Sequence, residues 1–93
     1  MEGVLSELYK IIMDRIERRP QGSYTAQLAS KGAAYVARKF GEESLEVIIA
    51  AIAESKDRLV SEIADALYHL LVLMALKGVT LDDVEKELRR RMK

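Results

Sequence analysis

AAYVARKFGEESLEVIIAAIAESKDRLVSEIADALYHLLVLMAL, residues 33–76, is the stretch on which the fold turns. Its spacing predicts two long helices, over residues 33–53 and 56–76, because Ser55 and Asp57 supply helix-starting chemistry between them. Gly41 is tolerated inside the first at a cost of ~1 kcal/mol relative to alanine. Residues 47–53 and 66–76 are apolar nearly all round, which in a globular protein means burial on several sides. Two long helices joined by so short a turn form an antiparallel hairpin.

Upstream, Val4, Leu5, Leu8, Ile11, Ile12 and Ile16 fall on one face of a helix that ends near Arg18. Pro20 and Gly22 punctuate the next segment, predicting a loop over residues 19–24. Ser23 or Thr25 can cap a short helix over residues 26–30, and Gly32 marks its end or a close approach. Downstream, Lys77 and Gly78 stop the second long helix, and Thr80 with Asp83 resembles a capping box that opens a last helix to Arg91. Arg89, Arg90, Arg91 and Lys93 suit the negative end of that helix dipole. No segment alternates as a strand would, so the expected fold is all-α, an antiparallel helical bundle over residues 1–93 as one domain. One protomer supplies few covering helices, so a homodimer is expected to complete the bundle.

The 93 residues carry fifteen basic and fifteen acidic side chains, leaving no general field for nucleic acid, although local clusters can still hold phosphates. The absence of cysteine excludes disulfides, thiolate metal sites and a cysteine nucleophile. The beginning of the chain lacks the pattern of a signal peptide. The longest apolar run, residues 66–76, is broken by His69 and falls below the ~20 residues a membrane span needs. A cytoplasmic protein is therefore expected.

The chemistry-bearing pattern lies in the hairpin. Glu43 and Glu46 are about 60° apart around their helix, and Glu42 and Glu46 about 40°, so the three carboxylates can converge. Glu62 and Asp65 repeat the three-residue spacing on the second helix, and antiparallel packing brings the two acidic groups face to face. A lone E-x-x-E is commonly a solvated pair. Two facing pairs in apolar flanks are costly to desolvate without a cation, and all-oxygen donors select hard ions such as Mg2+, with Mn2+ as a substitute.

E-E-x-x-E at 42–46 with E-x-x-D at 62–65 resembles the metal signature of the all-α nucleoside triphosphate pyrophosphohydrolases, the MazG-like superfamily. PQGSYTAQL at 20–28, Lys31-Gly32, ARKFGEE at 37–43 and ADALYHLLVLMALKGVTLDDV at 64–84 resemble the phosphoribosyl-ATP pyrophosphohydrolase family more specifically. Ser44 stands where alanine is expected, and the helix before the turn is alanine-rich. Lacking the cysteines of a fused cyclohydrolase zinc site, the chain resembles the monofunctional form. The resemblance implies hydrolysis of phosphoribosyl-ATP to phosphoribosyl-AMP and pyrophosphate in histidine biosynthesis.

On that footing Glu43, Glu46, Glu62 and Asp65 are the expected Mg2+ ligands, and Glu42 the group that activates or orients water. Lys39 can reach a phosphate or simply pair with Glu43. Lys31, Arg38 and Arg19 are further phosphate candidates, and Ser23, Tyr24 and Thr25 offer hydroxyls and an aromatic face on a loop. His69, among leucines, reads as a core or interface histidine, and the methionines and tyrosines read as packing. Two other readings stand beside this one: a house-cleaning nucleotide pyrophosphatase with the same carboxylates, and a helical dimerisation module whose acids are surface charge.

Overall fold

A computed structural model describes residues 2–92; Lys93, grouped above with the basic end of the chain, lies outside the described residues. Five helices follow one another: α1 (Glu2–Arg18), α2 (Tyr24–Lys31), α3 (Ala33–Ala53), α4 (Lys56–Leu76) and α5 (Leu81–Arg91). No strand occurs among the described residues, so the chain is all-α as its spacing predicts.

Local chemistry accounts for the helix boundaries. Arg19 takes a left-handed φ of 48° while its N–H still bonds to the Arg15 carbonyl at 2.9 Å, and Pro20 prevents any continuation of α1. The Ser23 N–H returns to the Pro20 carbonyl at 3.2 Å, a turn that needs the positive φ of 87° at Gly22. Ser23 then caps α2, its Oγ accepting the Ala26 N–H at 3.1 Å. The helix therefore begins at Tyr24, two residues earlier than the apolar spacing suggested, and takes Tyr24 and Thr25 out of the loop. Ser55 caps α4 through Arg58 N–H at 3.2 Å. Thr80 and Asp83 form the reciprocal capping box of α5.

α3 and α4 form the antiparallel hairpin, and α1 and α2 pack on one side of it. Ile12 from α1, Leu28 from α2, Val36 from α3 and Leu71, Val72 and Met74 from α4 make the core. Tyr9 ties α1 to the α4–α5 connection by donating its hydroxyl to the Val79 carbonyl at 2.8 Å. α5 contributes no buried residue, although Leu81 at its start leans on the core.

By length and mean hydropathy α4 is the one described helix that can reach across a bilayer. Its middle carries Glu62, Asp65 and His69, residues costly to place in a bilayer, and it packs against α1, α2 and α3. Away from α1 and α2, the hairpin exposes Leu45, Ile48, Ile49, Ile52, Val60 and Ile63, with Ile52 81% exposed. Beside them lies an open apolar groove of about 330 Å³ lined by Phe40, Val47, Ile48, Ile63, Leu67 and Leu70 among others.

Candidate active site

The turn between α3 and α4 places the acidic pairs by register. Glu43 and Asp65 each lie eleven residues from Glu54 at the turn, and Glu46 and Glu62 each lie eight. In an antiparallel hairpin, positions equidistant from the turn stand opposite one another. Carboxylate oxygens of Glu43, Glu62 and Asp65 accordingly lie within 4.8 Å of one another. Donor oxygens on opposite sides of one hard cation stand roughly 4–5 Å apart, so this group can hold a divalent metal.

The three members differ in surroundings. Glu62 is 7% exposed, Glu43 half-buried and Asp65 exposed. Arg58, one turn back on α4, ion-pairs with the buried Glu62 carboxylate and holds Glu54 with its Nε at 3.6 Å. A buried carboxylate requires such compensation. Arg58 did not figure among the expected site residues, though its i,i+4 spacing to Glu54 and Glu62 was legible.

Glu46 and Glu42, expected at the same centre, are not brought into it. Glu46 is exposed on the apolar face beside Leu45 and Ile49, where water solvates it and neighbouring carboxylates repel it. Glu42 is exposed and pairs with Lys39 Nζ at 3.7 Å, so Lys39 pairs with Glu42 rather than Glu43. Ser44, at the centre of the acidic motif, donates its hydroxyl to the Phe40 carbonyl at 2.9 Å and is satisfied within its own helix.

A second group joins α2 to α4 beside these acids. Buried His69, 5% exposed, has its Nδ1 2.7 Å from the Asp65 carbonyl and its Nε2 3.1 Å from the Tyr24 hydroxyl. A carbonyl only accepts, so Nδ1 carries the proton and Nε2 accepts from Tyr24. Burial raises the Tyr24 pKa; Lys39 opposes that shift, and Tyr68, Tyr35 and Glu43 add to it, so the hydroxyl keeps its proton at neutral pH. Tyr24 thus lies in the field of both Glu43 and Lys39, at the edge of the acidic centre. Thr25 is buried and shares a hydrogen bond with the Tyr68 hydroxyl, while Ser23 is engaged as the cap. These two hydroxyls, expected on a loop, are committed to holding α2, and Tyr24 is left about half exposed above it.

Lys31 and Arg38 approach the Tyr35 ring, at 4.9 Å from Nζ and 5.4 Å from Cζ to the centroid. The resulting site has three carboxylates converging at one end and cations around an aromatic ring at the other. A family model described as phosphoribosyl-ATP pyrophosphohydrolase matches residues 5–92.

The chain belongs to the phosphoribosyl-ATP pyrophosphohydrolase family.

Curated relatives agree with that placement over nearly the whole length. The chain is 63% identical over 90 residues to a phosphoribosyl-ATP pyrophosphatase of Saccharolobus islandicus (strain L.S.2.15 / Lassen #1), covering 97% of this chain and 96% of that protein. It is also 63% identical over 90 residues to one from Saccharolobus solfataricus, with the same coverage. A Metallosphaera sedula phosphoribosyl-ATP pyrophosphatase is 58% identical over 93 residues, the full length of both chains. From the sequence, Tyr35 and Tyr68 read as packing. Their ring contacts depend on how α2 folds back on α3 and α4, which local spacing does not report.

Proposed function

We propose that this chain hydrolyses the α–β phosphoanhydride of phosphoribosyl-ATP, giving phosphoribosyl-AMP and pyrophosphate, with Mg2+ bound by Glu43, Glu62 and Asp65. Family membership supports the reaction, and the convergence of those three carboxylates is the observation that carries the metal. A bound magnesium ion, for which Mn2+ can substitute, would supply neutralisation of the polyphosphate and polarisation of its oxygens. Glu46, opposite Glu62 in the hairpin register, joins the ligand set by a change of rotamer. Arg58, ion-paired with the buried Glu62 carboxylate, holds that side chain in position toward the other two acids. Glu42, at the exposed edge, orients the attacking water, and Lys39 exchanges Glu42 for a phosphate oxygen of the substrate. Tyr24 offers its ring and hydroxyl to the nucleotide, with His69, Ser23 and Thr25 fixing its position; Lys31 also meets phosphate.

A second copy of the chain is proposed to cover the apolar face of α3 and α4, making a homodimer. The whole of residues 1–93 would act as one cytoplasmic domain on a small-molecule nucleotide, without nucleic acid or membrane. The exposed isoleucines of that face support this part of the reading, since one-sided cover by α1 and α2 leaves them in water.

The test is pyrophosphate release from phosphoribosyl-ATP and from the common nucleoside triphosphates, with Mg2+ or with chelator. Selective release that needs Mg2+ and falls at least about 100-fold in Glu62→Gln is expected, since a buried charge of the metal-binding group is lost. Comparable cleavage of every triphosphate would instead identify a house-cleaning enzyme.

A further inference from the structure

The acidic centre has a basic counterpart where the end of α2 meets the start of α3. Between Glu17 and Glu42 the chain carries Arg18, Arg19, Lys31, Arg38 and Lys39 and no acidic residue, although its charges balance overall. Three of these cations gather at one place. Lys31 and Arg38 both approach the Tyr35 ring, and Tyr35, Arg38, Lys39 and Glu42 line a polar cavity of about 120 Å³. Among the described residues neither Lys31 nor Arg38 forms an ion pair, whereas Lys39 is held by Glu42. Two like charges beside one ring are offset in part by its π face, and an anion would offset the remainder.

Position gives the anion an identity. Tyr35, Lys39 and Glu43 succeed one another at intervals of four, so the ring lies about 12 Å along α3 from the carboxylate centre. Tyr24, which feels both Glu43 and Lys39, bridges the interval. Phosphoribosyl-ATP carries its triphosphate at one end and, across the adenine, a ribose bearing a separate monophosphate. We propose that Lys31 and Arg38, braced on Tyr35, form a second phosphate site that receives this distal monophosphate ester while the triphosphate lies at the carboxylates. The proposal rests on the reaction given above and explains how the enzyme would discriminate against ordinary nucleoside triphosphates, which have nothing to place there.

Titration calorimetry in Mg2+ with phosphoribosyl-AMP and with AMP reads this site without relying on turnover. The wild-type protein is expected to bind phosphoribosyl-AMP at least about tenfold more tightly than AMP, the scale of a charge-assisted phosphate contact. Arg38→Gln and Lys31→Gln should each narrow that ratio by about tenfold while the AMP affinity stays within about twofold. Arg38→Lys, which keeps the charge but not the fork, should fall between. Equal affinity of the wild type for the two ligands, binding of neither, or equal weakening of both in the variants overturns the proposal. Both variants are at exposed positions, and an unchanged melting curve separates loss of the site from loss of the fold. Wild-type discrimination without pyrophosphate release would overturn the reaction and leave the phosphate site standing.

Discussion

Thr25 and Tyr68 are joined by a hydrogen bond between side chains forty-three positions apart, and Thr25 is buried. Removing one partner of such a pair strands the other, at about 1–3 kcal/mol, whereas removing both at constant shape is nearly neutral. Thr25→Val is therefore expected to lower stability by about 1–2 kcal/mol in urea unfolding, and Thr25→Val with Tyr68→Phe to recover most of that loss. Additive losses in the double variant would show that the hydroxyls do not satisfy one another. The same measurement bears on the site, because Thr25 adjoins Tyr24, whose hydroxyl is bonded to His69. His69 reads from sequence as a core or interface histidine, and it is buried, but its bond to Tyr24 ties that interior position to the half-exposed edge of α2.

Helix ends were legible because their determinants are local. Ser55 before α4 and the Thr80–Asp83 box before α5 act within a turn of themselves, and both are present. The convergence of Glu43, Glu62 and Asp65 was also legible, since three-residue spacing on two antiparallel helices leaves little freedom. The stance of Glu46 was not, because spacing sets the face of a helix but not the rotamer, and water on the exposed face competes for the carboxylate. Local effects also give clear predictions. A Cβ at Gly41, in the middle of α3, meets no atom within 4 Å. Gly41→Ala is expected to stabilise the protein by ~1 kcal/mol, raising Tm by roughly 4–8 °C for a chain of this size. Lost activity at raised Tm would show that substrate or partner needs that space. In α5, hydrogen bonds from Thr80 hold the Asp83 carboxyl below the usual range. A depressed native pKa contributes stability at neutral pH that disappears as pH falls through that pKa. Asp83→Asn keeps an acceptor that cannot titrate, so the protection of α5 amides, taken relative to their intrinsic exchange rates at each pH, should fall below about pH 4 in the wild type and much less in the variant.

For the whole molecule, the proposed metal and the proposed dimer are coupled through Glu46, which stands on the apolar face yet opposite Glu62 across the hairpin. Covering that face with a second copy would take the Glu46 carboxylate out of water, a costly step unless a cation receives it. Mg2+ is therefore expected to favour the dimer, and by linkage the dimer to bind Mg2+ more tightly. Free Mg2+ at one hundred times its dissociation constant adds about 2.7 kcal/mol to the state that binds it. Sedimentation equilibrium in Mg2+ and in chelator reads the first half of the linkage, with dimer affinity expected to fall about tenfold or more on chelation, the size of a typical coupling energy. Glu46→Gln should abolish that difference and leave a dimer indifferent to Mg2+, because the amide is cheaper to bury and a poor partner for the cation. Ile49→Glu, which puts a new charge on the same face, should give monomers in either condition. A wild-type dimer whose affinity ignores Mg2+ would separate the two devices and place Glu46 outside the metal centre in the assembled enzyme, as it is in the single chain.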